Sequence, residues 1–599
     1  MRVVDYVAEF IYSRLHLKKV YMLTGGGAMF LNDGIAKHPH LAAVCNHHEQ
    51  ACAMAAVAHA KYTNGFGVAI STSGCGSTNT ITGVLDAWQD NTTCLFISGQ
   101  VKSKETTRNA VTPLRQFGIQ EADIISIVEP ITKYSVMIND PNEIAYHLEK
   151  ACFIAKSGRP GPVWIDIPLN VQGAIIDTDK LKHFDPKEYK ENFKINPDNK
   201  DITAIKELLK QSERPIILAG NGIRLSDSIK ELNEFINQYR IPVVSSYLAI
   251  DLISYDNPLY AGVVGIKGDR AANFAMQNAD LVIAIGNRLS VGVTGFEYKL
   301  FAREAKLVVI DIDPKEHKKN TVDIDLFINA DAKKFLQYLD KEDLSIKIND
   351  DWQDRISQWK NKWATSKTAY TSDNDTINKY SFMQHLNRYL KDDSVVVSDA
   401  GSAYYVVPQS LTITKNQRYI TSGAQGDMGY TLPAAIGVAT AKGGEVIAIT
   451  GDGSLQLNIQ ELQTIVHYQY PIKLFIWNNN GYLSIRATQR KYFEGRFIGT
   501  DKESGISLPD LKKISNAYGI KFIRVNKLEE LDNILEKVLL QTEPVICEVI
   551  CPEDQEIIPT VSSIKKEDGT MVSKPLEDMY PFLDREEFYR EMIVKPVKE

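Results

Sequence analysis

The sequence predicts an α/β protein of three doubly wound parallel-sheet domains, and three observations point there. The chain has 599 residues, too many for one hydrophobic core. Short β-branched runs alternate along it with amphipathic segments, the pattern of parallel strands covered by helices. Two polar stretches, 177–201 and 340–363, divide these runs into three blocks.

The first block opens on "MRVVDYVAEFIYSRLHLKKVYML", where Asp5, Glu9 and Arg14 interrupt the apolar pattern as in an amphipathic helix and not a signal peptide. Strands are expected at "GVAISTSG" (67–74), "CLFISGQ" (94–100) and "VWIDIP" (163–168). The second block offers "PIILAG" (215–220), "IPVVSS" (241–246), "LVIAIG" (281–286) and "LVVIDID" (307–313). The third offers "SVVVSDAG" (394–401), "EVIAITGDG" (445–453), "IKLFIWNN" (472–479), "IKFIRV" (520–525) and "VICEVI" (545–550). Expected domain bounds are 1–178, 195–345 and 370–555, with a polar tail, 556–599, folded over the rest. No sequence repeat is visible, although three such domains are compatible with distant structural copies.

Apolar residues make up 44%, charged residues 24%, and the net charge is −7, without the basic excess that nucleic-acid binding needs. No apolar run reaches the roughly 18 residues of a membrane span. The seven cysteines are odd in number, and most sit in apolar or helical contexts, as reduced thiols of a cytoplasmic protein do. Cys547 and Cys551 lack the second pair a zinc site needs.

The chemistry concentrates in "GDGSLQLNIQELQTIVHYQYPIKLFIWNNNGY" (451–482). Asp452 leaves a strand between two glycines, at the carboxyl edge where ligands of open α/β sheets collect. Asn458 and Glu461 form a capping-box pattern, Ile459, Leu462 and Val466 share a helical face, and Pro471 opens the next strand. A right-handed crossover therefore returns Asn479 to the edge that holds Asp452. A carboxylate, a side-chain amide and the main chain at Gly481 are hard oxygen donors suited to magnesium that also takes phosphate oxygens.

This pattern resembles the thiamine diphosphate motif, and residues 1 to about 560 resemble the acetolactate synthase large-subunit family. The resemblance implies that Asp452, Asn479 and the Gly481 carbonyl bind Mg2+, with Gly451, Gly453, Ser454 and Tyr482 around the cofactor diphosphate. "GAQGDMGYTLPAAIG" (423–437) is similar to the segment that props thiamine diphosphate in a bent shape, here by Met428, with the Gly426 carbonyl facing the aminopyrimidine. In "NHHEQACAMAAVAHA" (46–60), Glu49 matches the carboxyl group that activates the pyrimidine ring. Further matches at "LTGGGAM" (23–29), "STSGCGSTNTITGVLDAWQDN" (71–91), "SGQV" (98–101), "QEADI" (120–124) and "GRPGPVWIDIP" (158–168) place Gly26, Gly27 and Gln100 at the reacting centre. The three domains then read as pyrimidine-binding, central flavin-type and diphosphate-binding. The substrates implied are a 2-oxo acid donor and a carbonyl acceptor, in a homodimer or homotetramer with Glu49 and the diphosphate site on different subunits.

"LAGNGIRLS" (218–226) has a Gly-x-Gly after a strand but no third glycine, a weak dinucleotide signal that packing would explain equally well. The resemblance adds "GVVGIKGDRAANFAMQNADLVIAIGNRLS" (262–290), "DIDPKEHKKN" (311–320) and "NADAKKF" (329–335), similar to segments that hold FAD. It implies FAD contacts at Gly220, Gly222, Gly265, Gly286, Arg288, Asp311 and Asp331.

The sequence departs from acetolactate synthases at two places. Their run Arg-Phe-Asp-Asp-Arg-Val-Thr-Gly, whose second arginine meets the acceptor carboxylate, is "RLSVGVTG" (288–295), with Gly292 at that arginine. A tryptophan that contacts the acceptor is replaced by Thr488 in "RATQR" (486–490). A lost charge-assisted contact is worth roughly 1.5–3 kcal/mol. The expectation is a wider, less cationic acceptor pocket, suited to a nucleotide-linked keto sugar. The competing readings are a genuine acetolactate synthase catalytic subunit, a flavin-linked 2-oxo acid oxidase and a non-catalytic relative; Glu49 speaks against the last.

Overall fold

The computed structural model describes all residues except 191–192, 343, 345, 347, 373–374, 415, 566–567 and 598–599, and leaves the side chains of 564 and 565 undescribed. Three six-stranded parallel sheets form, one per block. The first holds β1 (Lys19–Met22), β2 (Ala42–Cys45), β3 (Gly67–Ser71), β4 (Cys94–Gln100), β5 (Tyr134–Met137) and β6 (Val163–Pro168), in the order β2-β1-β3-β4-β6-β5. The second holds β7 (Pro215–Ala219), β8 (Val243–Ser245), β9 (Tyr260–Val263), β10 (Leu281–Ile285), β11 (Lys306–Asp311) and β12 (Leu326–Asn329), in the order β12-β11-β10-β7-β8-β9. The third holds β13 (Val395–Ser398), β14 (Arg418–Ile420), β15 (Val446–Gly451), β16 (Ile472–Asn478), β17 (Lys521–Val525) and β18 (Val545–Ile550), in the order β14-β13-β15-β16-β18-β17.

The first and third sheets thus share one strand order. The middle sheet, counted from its own first strand, has the order 3-2-1-4-5-6 of dinucleotide-binding folds.

The outer domains join through two helices. Helix Glu49–Thr63 is buried from Ala51 to Ala60 and packs on helix Thr431–Lys442, so that one apolar core runs through both domains. Alanine is used there because the backbones nearly touch: a Cβ on Gly437 would lie 2.2 Å from the Ala55 carbonyl oxygen. The Tyr21 hydroxyl adds a bond to the Gly437 carbonyl at 3.2 Å.

One expectation changes. The charged stretch 340–363 is not simply a connection: its second half is helix Asp350–Trp363, which buries Trp352, Ile356 and Trp359 against helix Arg270–Gln277. Asp350, Asp351, Asp354 and Lys362 occupy the outer face, which disguised the apolar stripe. The tail lies over the middle domain, where Arg270 donates to the Met579 carbonyl and the Trp359 indole to Glu591. Among the described residues no helix is long and apolar enough to cross a membrane. Cys52, Cys94, Cys547 and Cys551 are buried free thiols, whereas Cys45 and Cys75 are exposed.

Candidate functional site

β15 and β16 pair in parallel to the register Gly451–Trp477, and the Asp452 amide donates to the Trp477 carbonyl. Asp452 and the 478–481 turn are therefore neighbours at one sheet edge. The Asp452 carboxylate, only 3% exposed, accepts from the amides of Gly453 at 2.7 Å, Asn479 at 3.0 Å and Gly481 at 3.1 Å. Burial raises its pKa to about 6, with these amides pulling the other way. The Asn479 side-chain amide lies 2.6 Å from the Gly481 carbonyl, completing a cluster of a carboxylate, an amide and a carbonyl.

The turn needs glycine at 481, where φ is +129° and a Cβ would strike the Thr500 carbonyl at 2.0 Å. Arg486 locks it from behind by donating to the carbonyls of Asn479 and Asn480, so this arginine is spent on the scaffold. At Gly453 a Cβ would meet the Tyr482 ring at 2.4 Å. Ser454 connects the edge to the 423–437 segment: it accepts from the Gly429 amide at 2.9 Å and donates to Asp399 at 2.7 Å. Gly426 has φ +62°, and Met428 is 39% exposed beside it.

The expected capping box does not form. Asn458 donates to Gln50 Oε1 and to the Gly429 carbonyl, and Glu461 accepts from Asn46 and from the His47 amide. Contacts with the first domain, which no local pattern records, take both side chains away from the helix start.

Glu49 opens its helix and is nearly buried; its carboxylate accepts from Asn79 at 3.0 Å. Gly26 faces open space, and the Gly27 amide donates to Thr72. Gln100 lies 2% exposed with its amide directed inward, donating to the Ala122 carbonyl and to Asp166 and accepting from the Val101 amide. The structure brings Asp452, Asn479, Gly481, Ser454 and the 426–429 turn together, while Glu49, Gly26, Gly27 and Gln100 stand in the first domain.

A cavity of about 730 Å³ opens where all three domains meet. Gly220, Gly222, Gly286, Arg288, Asp311 and Asp331 line it. Gly265 does not: it is a glycine because its φ is +122° and a Cβ would lie 2.1 Å from the Gly292 carbonyl. Gly220 and Gly286 are also packing glycines, since a Cβ on the first would lie 2.1 Å from the carbonyl of the second. Arg159, from the first domain, reaches Glu316 at 2.7 Å across the cavity wall.

Sequence reasoning missed several groups. Asp399 is fully buried, with one carboxylate oxygen unpartnered and its pKa raised to about 6 by burial. Its signal was legible, an aspartate directly after a strand in "SVVVSDAG". Lys379 is fully buried without a hydrogen-bond partner; burial lowers its pKa, and Cys551 and Asp452 oppose that. Near the two departures from the family pattern, Lys267 follows Ile266, whose amide donates to the Gly292 carbonyl, and Lys491 lies one turn beyond Thr488. Both lysines lie outside the compared runs.

Family models match three parts of the chain: the N-terminal TPP binding domain of thiamine pyrophosphate enzymes over residues 1–123, their central domain over 202–339 and their C-terminal TPP binding domain over 399–549. The chain is similar to a "Probable acetolactate synthase large subunit" of Methanocaldococcus jannaschii, 34% identical over 92% of this chain and 93% of the relative. It is 32% identical to an acetolactate synthase large subunit of Cyanidium caldarium, over 86% of this chain and 87% of that one. One from Corynebacterium glutamicum is 31% identical, over 95% and 89% respectively.

Proposed function

Because this chain belongs to the thiamine pyrophosphate enzymes, in the acetolactate synthase large-subunit family, we propose that it decarboxylates pyruvate and joins the two-carbon unit to a carbonyl acceptor other than a second 2-oxo acid. It is a thiamine diphosphate-dependent carboligase. The donor set fits a magnesium diphosphate: Asp452, the Asn479 amide and the Gly481 carbonyl form one cluster of hard donors at a glycine-lined edge. When bound, thiamine diphosphate supplies the electron sink for loss of carbon dioxide.

The chain's own residues do the remainder. Asp452, Asn479 and Gly481 hold the metal, with Gly451, Gly453, Ser454 and Tyr482 around the diphosphate. Gly426 and Met428 set the cofactor's shape, and Glu49 of a second subunit holds a proton at the pyrimidine. The assembly proposed is a homodimer or homotetramer. The three-domain cavity fits FAD in size and in its Gly-x-Gly turn, with Gly220, Gly222, Gly286, Arg288, Asp311 and Asp331 as contacts. Gly265 acts there only through the backbone it lets pass.

A single observation carries the acceptor reading: Gly292 has no side chain with which to clamp a carboxylate, and its carbonyl is committed to Ile266. A nucleotide-linked keto sugar suits such a site. The test is mass spectrometry of products from labelled pyruvate offered with a panel of keto acids and keto sugars. Label in a branched sugar is expected; efficient acetolactate formation with a low KM would overturn the reading. That result would favour a genuine acetolactate synthase, which the relatives' names support.

A further inference from the structure

Between the end of β14 at Ile420 and helix Thr431–Lys442 the chain forms neither helix nor strand, yet this stretch carries Gly426 and Met428. Without a ladder of its own, it takes its position from bonds to other elements. The far end is fixed by Asn458, which donates to the Gly429 carbonyl at 3.0 Å, and by Ser454, which accepts from the Gly429 amide at 2.9 Å. The near end is held by the first domain. Lys61 donates to the Thr421 carbonyl at 3.0 Å and to Asp90 at 2.7 Å, and the same Asp90 oxygen accepts from the Gly423 amide at 2.7 Å.

Lys61 lies in the last turn of the helix that Glu49 opens, and Asp90 follows helix Ile81–Gln89 as its C-terminal cap. Lys61 also meets both oxygens of Asp86, at 3.0 and 3.1 Å, and its ammonium stands 5.3 Å from the centre of the Tyr430 ring. Asp86 and Asp90 are both buried. Burial opposes the Lys61 charge, but the two carboxylates outweigh it and hold its pKa above the usual lysine range. The aspartates differ in reach: among the described residues the Asp86 carboxylate bonds only Lys61, whereas Asp90 crosses to the third domain. On another side of Gly423 stands Leu248 of the second domain, whose Cγ would lie 2.4 Å from an added Cβ. Gly423 is wedged between the two and has little room to drift.

We propose that Lys61 and Asp90 are positioning residues for thiamine diphosphate: they fix Thr421 and Gly423, and through them the Gly426 carbonyl and the Met428 side chain that set the cofactor's bend. The Gly426 amide bonds back to the Ser422 carbonyl at 2.9 Å, so a shift at 421–423 is carried directly to Gly426. Both anchoring bonds of Asp90 are charge-assisted and buried, the kind that holds geometry most tightly. Neither residue touches the reacting atoms; each acts through the turn, where a misplacement of about 1 Å is enough to cost roughly 100-fold in rate. This rests on the reading that Gly426 and Met428 shape the cofactor, and it adds what holds them in place.

The test uses the full chain saturated with thiamine diphosphate and Mg2+, as wild type, D90A, D90N, D86N and M428A. Asp90→Ala frees the Gly423 amide but leaves Lys61 and Asp86 as a balanced buried pair; Asp90→Asn keeps an oxygen for that amide. Asp86→Asn disturbs the same cluster without touching the turn. In D90A the near-ultraviolet circular dichroism of bound thiamine diphosphate is expected to change, and kcat for carbon dioxide release from pyruvate to fall roughly 10- to 100-fold with little change in KM. D90N should recover both signals, and D86N should match the wild type. An unchanged D90A, a D90N no better than D90A, or a D86N that shifts as far as D90A overturns the proposal. Should D90A fail to fold, K61M/D86N is read in its place: it keeps the cluster's net charge, releases the Thr421 carbonyl, and overturns the proposal if both signals stay unchanged. M428A separates the two ways of failing. An unaltered spectrum in M428A shows that the turn does not shape the cofactor and removes the underlying reading, whereas an altered M428A beside an unchanged D90A overturns the anchoring alone.

Discussion

Asp452 and Asn479 are joined by a 3.0 Å hydrogen bond from the amide of the second to the carboxylate of the first, across 27 positions of sequence. That bond closes one strand–helix–strand crossover and sets the metal-ligand candidates side by side.

Asp452→Asn should separate cofactor binding from folding. Asparagine fills the same space but offers one acceptor where the carboxylate offers two, so one of three amide bonds is lost at about 1–2 kcal/mol. A small drop in the melting point of cofactor-free protein is expected. Loss of a charged metal ligand should weaken magnesium thiamine diphosphate roughly 10- to 100-fold by calorimetry.

Glu49→Gln keeps an oxygen for Asn79 at 3.0 Å and removes the carboxyl proton. Thiamine diphosphate should stay bound, while carbon dioxide release from pyruvate falls on the order of 10²- to 10⁴-fold. Unchanged decarboxylation would remove Glu49 from the mechanism.

Gly437→Ala tests the junction of the outer domains. The added methyl would sit 2.2 Å from the Ala55 carbonyl oxygen, and both helices are buried there. Backbone cannot yield as a side-chain tip does, so a cost near the top of the ~1–3 kcal/mol overpacking range is expected, read as a lowered melting point. Gly444→Ala, whose nearest atom is 4.0 Å away, should leave it unchanged.

Much of the fold was legible because central parallel strands are buried on both faces and read as continuous apolar runs. The strands that escaped notice, β2, β5, β9, β12 and β14, all lie at sheet edges, and β1 was merged with the preceding helix. Edge strands are short, and β2, β5 and β12 are only half buried, so their sequences carry no unbroken β-branched run. The site divides in the same way. Asp452 to Gly481 was readable because one crossover has a characteristic length, whereas the inward turn of Gln100 depends on Ala122 and Asp166 in other elements.

The sequence by itself determined the three α/β layers, the magnesium-type donor set and the family, since these follow from local periodicity and from residues held within one crossover. Only the tertiary structure decided where Asn458 and Glu461 turn and how the alanine-rich helix meets Gly437. Those features depend on packing between domains, which brings together side chains whose spacing along the chain records nothing of their distance in space.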